Sequence, residues 1–390
     1  MTIDSERPPH GTVIIVSPGG LEHGGGIGRQ MGYFLHALSS GPQGIHYRIV
    51  DSRGPWFIGA SPLSSCSAVI YLSCTLIALV FTRCTQAACL AHVNITGRGS
   101  TIRKIILLTI ARAVGLRYVL HVHDYDYGDY YSGRGEVLRT LIAAIFRRAV
   151  TVVVLGGRDQ EVISQLFQLP RSRVTILHNA VPDPVPALSR ASPLGRPCHL
   201  LFLGHLSARK GLPDLLQALA NLPVAQRCWR ATLAGGGPID EFRTLADDLG
   251  ILDRLSFPGW VDQATVKALC AEADVLVLPS YAEGLAMAVL EGLSYGLAVI
   301  TTPVGAHPEV IEPEVSGILI PPGNVEALAG ALVRVIDDAS LRQRLGAGAR
   351  RRFLEKFDVR TYAERLSQLH ASLLLDPQNV GAIGKGQTSQ

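Results

Sequence analysis

The stretch LPSYAEGLAMAVLEGLSYGLAVITTPVGAHPEVI, residues 278–311, decides the fold. It leaves the apolar run DVLVLPS (274–280), crosses a loop holding Glu283 and Gly284, enters the helix-forming run AMAVLEGLSYG and emerges in a second apolar run, AVITT (298–302). Runs that are apolar throughout, joined by helix-length segments, mark parallel strands buried on both faces. Outward from there the alternation repeats. The second half has HLLFLG (199–204), RATLAGG (230–236), RLSFPG (254–259) and GILI (317–320). The first half has TVIIVSP (12–18), YRIV (47–50), ACLAHVNI (88–95), RYVLHVHD (117–124), TVVVLG (151–156) and RVTILHN (173–179). Helices are predicted over much of 27–39, 66–83, 101–114, 134–148 and 157–167. The predicted class is α/β, with two doubly wound parallel-sheet domains. The proline-, serine- and glycine-rich PDPVPALSRASPLGRP (182–197) reads as the linker between them.

The 390 residues are 47% hydrophobic and 17% charged, enough for two or three cored domains and too apolar for a disordered chain. Seven cysteines, none in a C-x-x-C pair, argue against a disulfide framework or a zinc ribbon and fit a reducing cytoplasm. The polar, acidic start MTIDSERPPHGT does not read as a secretory signal. Residues 68–81 are apolar apart from Ser73, Cys74 and Thr75. At about 14 residues this run is shorter than the roughly 18–20 of a spanning helix, and it predicts a mostly buried core helix. The net charge of +4 is uneven, because nothing acidic lies between Asp51 and Asp124. Arg53, Arg83, Arg98, Arg103, Lys104, Arg112 and Arg117 all fall in that gap.

Four places carry candidate chemistry. After the first strand, glycines in SPGGLEHGGGIGRQ lead into a helix, where backbone can approach a ligand and unpaired N–H groups favour an anion. A nicotinamide-enzyme reading, with Asp51 as the ribose acid, is weak because no window there satisfies G-x-G-x-x-G. In HVHDYDYGDYY (121–131), His123 and Asp124 end a strand at the edge where open α/β sheets place ligands. Zinc needs three or four convergent ligands, and only His121 and His123 are close; a core histidine is the plain alternative. Glu283 sits in a strand-to-helix loop and Glu291 near the opening turns of the next helix. A carboxylate there can accept from ribose hydroxyls, one in the loop can reach a sugar, and the helix start favours phosphate. In LLFLGHLSARKGLPDLL (200–216), Arg209 and Lys210 precede a helix, a pair suited to a diphosphate.

Together these elements resemble glycosyltransferase family 4 (group 1), retaining nucleotide-sugar enzymes of the GT-B fold with two Rossmann-like domains facing across a cleft. The resemblance is specific over 199–323, where LFLGHLSARKG, ATLAGGGP, LSFPGWV, ADVLVLPSYAEGLAMAVLEGLSYGLAVITT and SGILIPPGN follow in family order. It is looser in the first half, on GGGIG, HVHD, VVVLGGRD and VTILHNAV. It implies an acceptor-binding domain at 1–181, the linker at 182–197, a donor-binding domain at 198–356, a helix at 357–376 crossing back to the first domain, and a frayed tail at 377–390. Glu283 matches the first acid of the family's E-x7-E motif, near the donor sugar, and Glu291 the second, on the ribose. Lys210 matches the lysine on the diphosphate, His123 the histidine near the transferred sugar, and Gly25 and Gly26 the glycine loop. Arg209, Gly284, Leu285, Ala286, Val289 and Leu290 complete the implied donor site. His205 stands where the family usually has arginine, a mostly neutral group in place of a fixed charge, with Arg209 placed to compensate. Ala286, Met287 and Ala288 replace the glycine and proline usual after the first acid.

The implied activity is metal-independent hexosyl transfer from a UDP-, GDP- or ADP-sugar to an acceptor hydroxyl, without a cofactor. The alternatives are a GT-B epimerase or phosphorylase-like enzyme, a non-catalytic sugar-nucleotide binder and, more distantly, a nicotinamide oxidoreductase. Arg103, Lys104 and Arg112 on the otherwise apolar helix 101–115 predict a basic amphipathic surface that rests on an anionic membrane, against the plainer expectation of a packed helix with a solvated edge. On the membrane reading the acceptor is a lipid-linked sugar of a surface polysaccharide or glycolipid pathway and the protein is cytoplasmic, peripheral on the inner face. Nucleic acid is not expected, because stacking and groove-reading motifs are not apparent.

Overall fold

The computed structural model describes residues 11–21, 25–38, 44–54, 62–86, 88–184 and 196–375. Most of the predicted linker, the tail 377–390 and residues 22–24 of the glycine-rich stretch lie outside the described residues. The chain divides into two compact units, Met1–Leu177 with Arg360–Gln390, and His178–Val359.

The first unit is built on six parallel strands: β1 (Gly11–Ser17), β2 (Ile45–Asp51), β3 (Cys89–Ile95), β4 (Arg117–Val122), β5 (Thr151–Val154) and β6 (Val174–Ile176). Their spatial order is β2-β1-β3-β4-β5-β6. The connecting helices are α1 (Gly25–Leu38), α2 (Pro62–Thr85), α3 (Gly99–Ala113), α4 (Tyr127–Ser132), α5 (Glu136–Arg148) and α6 (Gly157–Phe167). Right-handed crossovers put α1, which returns from β1 to β2, on one face and α2, α3, α5 and α6 on the other. Strands β1 and β3 are buried at every position, because helices cover both sides of the sheet.

The second unit repeats the plan with β7 (Cys198–Leu203), β8 (Trp229–Ala234), β9 (Leu255–Gly259), β10 (Val275–Leu278), β11 (Ala298–Thr301) and β12 (Ile318–Leu319), ordered β12-β11-β10-β7-β8-β9. Its helices are α7 (Leu212–Ala220), α8 (Leu222–Ala225), α9 (Ile239–Asp248), α10 (Gln263–Glu272), α11 (Met287–Ser294), α12 (His307–Val310), α13 (Val325–Asp337) and α14 (Ala339–Lys356). The strand order reverses between β7 and β10. In an open α/β sheet the crevice beyond such a switch point is where ligands bind.

Helix α15 (Val359–Leu375) belongs almost wholly to the first unit, where Tyr362 and His370 make edge-on ring contacts with Phe34 of α1. Residues 178–183 pack on the second unit: Val181 exchanges backbone hydrogen bonds with Phe357 and Val359, and Asp183 pairs with Arg350 at 2.6 Å.

Two expectations for the first unit fail. The apolar run 68–81 is not a mostly buried helix. It lies within α2, which is 24 residues long, and of residues 68–85 only 22% is buried. Among the described residues α2 is a helix long and apolar enough to cross a membrane, yet it lies on the sheet. Thr75, Ala78, Leu79 and Thr82 face inward, and Thr75 Oγ1 donates to the Asp51 carbonyl at 2.8 Å. A helix apolar all round reads as buried when only its sequence is known; here a single helical layer covers this face of the sheet and leaves its outer side bare. Lys104, in turn, is not a surface cation. It is fully buried on α3, its Nζ hydrogen-bonded to Ser52 Oγ. Burial, with Arg103 adding to it, pushes its pKa down to about 7.

Candidate functional site

In the second unit, the loops that leave the neighbouring strands β7 and β10 meet at the switch point. The Lys210 ammonium forms an ion pair with Glu283 Oε1, and Arg209 Nη1 stands 3.6 Å from the same oxygen while donating to the Ala282 carbonyl at 2.6 Å. The Glu283 side chain is 9% exposed and that of Lys210 13%. The charges are thus nearly out of water, where such a pair is strongly destabilised if one partner is removed. The chain itself clamps the two loops together, with the Tyr281 N–H donating to the Arg209 carbonyl at 2.8 Å.

Two glycines make this approach possible. Gly211 (φ +71°) sits where a Cβ would overlap the Pro279 carbonyl. Gly305 (φ +54°) lies against the carbonyls of Glu283 and Gly284, which a Cβ would strike. A left-handed conformation and a backbone neighbour together admit only glycine.

His307, absent from the predicted site, holds the far side of the loop. It is fully buried, with Nδ1 3.1 Å from the Thr302 carbonyl and Nε2 3.4 Å from the Ala286 N–H. A carbonyl only accepts, so the proton sits on Nδ1 and Nε2 receives the Ala286 N–H. Burial lowers the His307 pKa, against the pull of nearby Glu283, and keeps the ring neutral. The signal was present in PVGAH within the opening stretch, but nothing in a lone histidine told it from a core residue.

Glu291 lies in the second turn of α11 and is buried, at 5% exposure. Leu285, Ala286, Val289 and Leu290 are buried too, and the amides of Ala286, Val289 and Leu290 are already engaged, by His307 or by the Ala286 carbonyl. They shape the loop and helix start from beneath and do not offer free side chains. Gly284 is buried with them, its carbonyl accepting the Ala306 N–H at 2.8 Å. His205 is exposed at the end of β7.

In the first unit, Gly25 (φ +58°) and Gly26 open α1, are exposed and have open space where a Cβ would stand. Asp51 is occupied structurally: its Oδ1 accepts from the amides of Gly19, Arg53 and Gly54 at 2.8, 2.8 and 3.0 Å. His123 lies just past β4, with Nε2 2.8 Å from Asn94 Oδ1. Asn94 Nδ2 donates to the Val16 carbonyl, so Oδ1 is its acceptor, His123 Nε2 carries the proton and Nδ1 keeps the lone pair. Burial, with His92 adding to it, lowers the His123 pKa to about 3, so the ring is neutral.

Beneath His123 runs a hydrogen-bonded row that spacing could not show: His121 Nδ1 to His92 Nε2 at 3.2 Å, His92 Nδ1 to His370 Nε2 at 3.0 Å, and His370 Nδ1 to Tyr47 Oη at 3.2 Å. His121 Nε2 ends the row, buried and without a partner, with the His123 ring 4.0 Å away between centroids. A buried acceptor lone pair is tolerated better than an orphaned N–H. That end therefore carries the lone pair, and every ring in the row donates through Nδ1 toward Tyr47. The hydrogen-bonded rings lie along a line and do not gather round a point, and among the described residues no group of three histidine, cysteine or carboxylate side chains is placed to hold a metal ion.

The two six-stranded parallel sheets and the paired switch-point loops define a protein of the GT-B class. Sucrose-phosphate synthase from Thermosynechococcus elongatus superposes with a TM-score of 0.74 at 21% identity, over 93% of this chain and 99% of that one. HepE of Anabaena in complex with UDP-glucose gives 0.69 at 17% identity, over 93% and 99%. Residues 190–352 match the family model of the glycosyl transferases group 1, and this segment is a group 1 glycosyltransferase domain. Glycogen synthase of Mycobacterium tuberculosis is 27% identical over 231 residues, 58% of this chain and 55% of that protein. The chain thus aligns with about half the length of that relative.

Proposed function

We propose that the protein is a retaining glycosyltransferase that moves a hexose from a nucleotide sugar to an acceptor hydroxyl, with a lipid-linked sugar as acceptor and peripheral attachment to the inner face of the cytoplasmic membrane. The observation that carries the transferase reading is the convergence of Glu283, Lys210 and Arg209 at the switch point of a group 1 domain. A UDP-glucose complex of a protein with the same fold supports a nucleotide-sugar donor.

In this reading the C1–O bond to the diphosphate breaks as the acceptor oxygen bonds C1 on the same face, and the acceptor proton passes to the departing phosphate oxygen. Lys210, nearly out of water where a fixed cation acts most effectively, takes the developing negative charge together with the more exposed Arg209. When the diphosphate draws Lys210 away, Glu283 is released to orient the sugar hydroxyls and forms no covalent intermediate. Glu291 receives the ribose, and His123 accepts a sugar hydroxyl through Nδ1. A thermal-shift screen of UDP-, GDP- and ADP-sugars tests donor binding, since a ligand at a hundred times its Kd stabilises the fold by about 2.7 kcal/mol. Glu283→Gln is expected to bind the nucleotide and lose at least about a hundredfold in kcat; near-normal transfer by this variant rules out the role.

A further inference from the structure

The helices α2 and α3 carry an outer surface that the transferase reading leaves unused. Val69, Ile70, Ile77 and Phe81 of α2 are 60–67% exposed, and Ile102 and Ile106 of the neighbouring α3 are 51% and 45% exposed. Residues 70, 73, 74, 77, 81 and 84 form one helical stripe that holds isoleucine, serine, cysteine and phenylalanine and no charge. Exposed apolar side chains scattered singly are ordinary, but six on two adjoining helices are a patch. Beyond the apolar side chains α3 carries Arg112, which is exposed. Neither helix contains an acidic residue.

We infer that this face is a membrane-docking surface, on which α2 lies in the plane of an anionic lipid leaflet with Ile70, Ile77 and Phe81 below the headgroups. A span is excluded by the inward side of α2, which is fixed to the sheet through Thr75, Ala78, Leu79 and Thr82. In-plane burial suits a helix whose second side is already packed. Charge selects the occupant. A second copy docked face to face brings the same arginines together, because a two-fold interface pairs each patch with itself. An anionic leaflet supplies both an apolar layer and the missing negative charge. Lys104, buried beneath α3, takes no part, so apolar insertion through α2 replaces a basic helix as the attachment. The choice of a lipid-linked acceptor rests on the function proposed above, whereas the surface itself does not.

Flotation of the full chain with vesicles of phosphatidylcholine, with and without phosphatidylglycerol, is the test. The wild type is expected to float with the anionic vesicles. The double variant Ile77→Gln/Phe81→Gln is expected to lose at least about tenfold in vesicle affinity, as two apolar anchors are removed from the leaflet. Arg112→Gln is expected to weaken binding several-fold with anionic vesicles only. Both anchors are exposed, so circular dichroism and the thermal shift given by UDP should be unchanged in the double variant. Flotation by the double variant equal to that of the wild type overturns the inference. So does a wild type that stays at the bottom of the gradient, or one that forms a dimer dissolved by the double substitution. Flotation without any donor-induced shift leaves the surface standing and removes the transferase.

Discussion

Lowering the pH should loosen the first unit through its histidine row, by an amount the structure sets. His92 is fully buried, and burial depresses its pKa from 6.5 to about 3. The unfolded chain therefore binds a proton between these values that the folded chain refuses, so stability is complete above about pH 6.5 and declines as the pH falls toward 3. At about 1.36 kcal/mol per pH unit, His92 alone costs about 2 kcal/mol at pH 5. His123, whose pKa is also lowered to about 3, adds a similar amount, and His121 and His370 act in the same direction. Hydrogen exchange of β3, β4 and α15, corrected for intrinsic rates, should show the loss between about pH 7.5 and pH 5. His92→Leu removes one titrating ring along with its two hydrogen bonds. It should be less stable near neutrality, yet its stability should depend on pH less steeply, by about 2 kcal/mol over that interval. An identical pH dependence in wild type and variant would refute the argument that these rings are held neutral by burial.

Lys210→Ala takes the nearer cation from the buried Glu283 and leaves it Arg209 alone, 3.6 Å away and more exposed; we expect a loss of up to about 3 kcal/mol in urea unfolding, together with loss of the UDP-induced thermal shift. Gly305→Ala forces a side chain into a left-handed turn and against two carbonyls, so the second unit should lose at least about 3 kcal/mol by the same measurement. His307→Ala removes the acceptor of the Ala286 N–H. Calorimetry should then show roughly tenfold weaker donor binding, with a stability loss of about 2 kcal/mol from the unpaired amide.

What could be read before folding follows from how these elements form. A strand covered on both faces is largely apolar, so the central strands announce themselves as runs, such as TVIIVSP and DVLVLPS, while the edge strands β2 and β9 keep exposed positions and a weaker signal. The loops of the second unit were legible for a related reason. Glu283, Lys210 and Arg209 each follow a strand within a few residues, and chain order alone places them at the carboxyl edge. Their direct pairing was not legible, because it depends on β7 and β10 being neighbours. The site of His307 is likewise set by the fold, across a loop 21 residues away from its partner Ala286.

The sequence by itself determined the class, the two-sheet plan and the identity of the charged groups near the switch point, since hydrophobic period and chain order are local properties. Only the tertiary structure decided which polar and apolar groups face water. Lys104 and Ile77 lie on similar apolar helices, but Lys104 is turned inward to Ser52 while Ile77 stands 67% exposed. Nor could spacing join His92, His121 and His370, which come from two strands and a helix some 250 residues further on. Burial and long-range hydrogen bonding belong to the packed molecule, because each depends on what the rest of the chain lays against a residue.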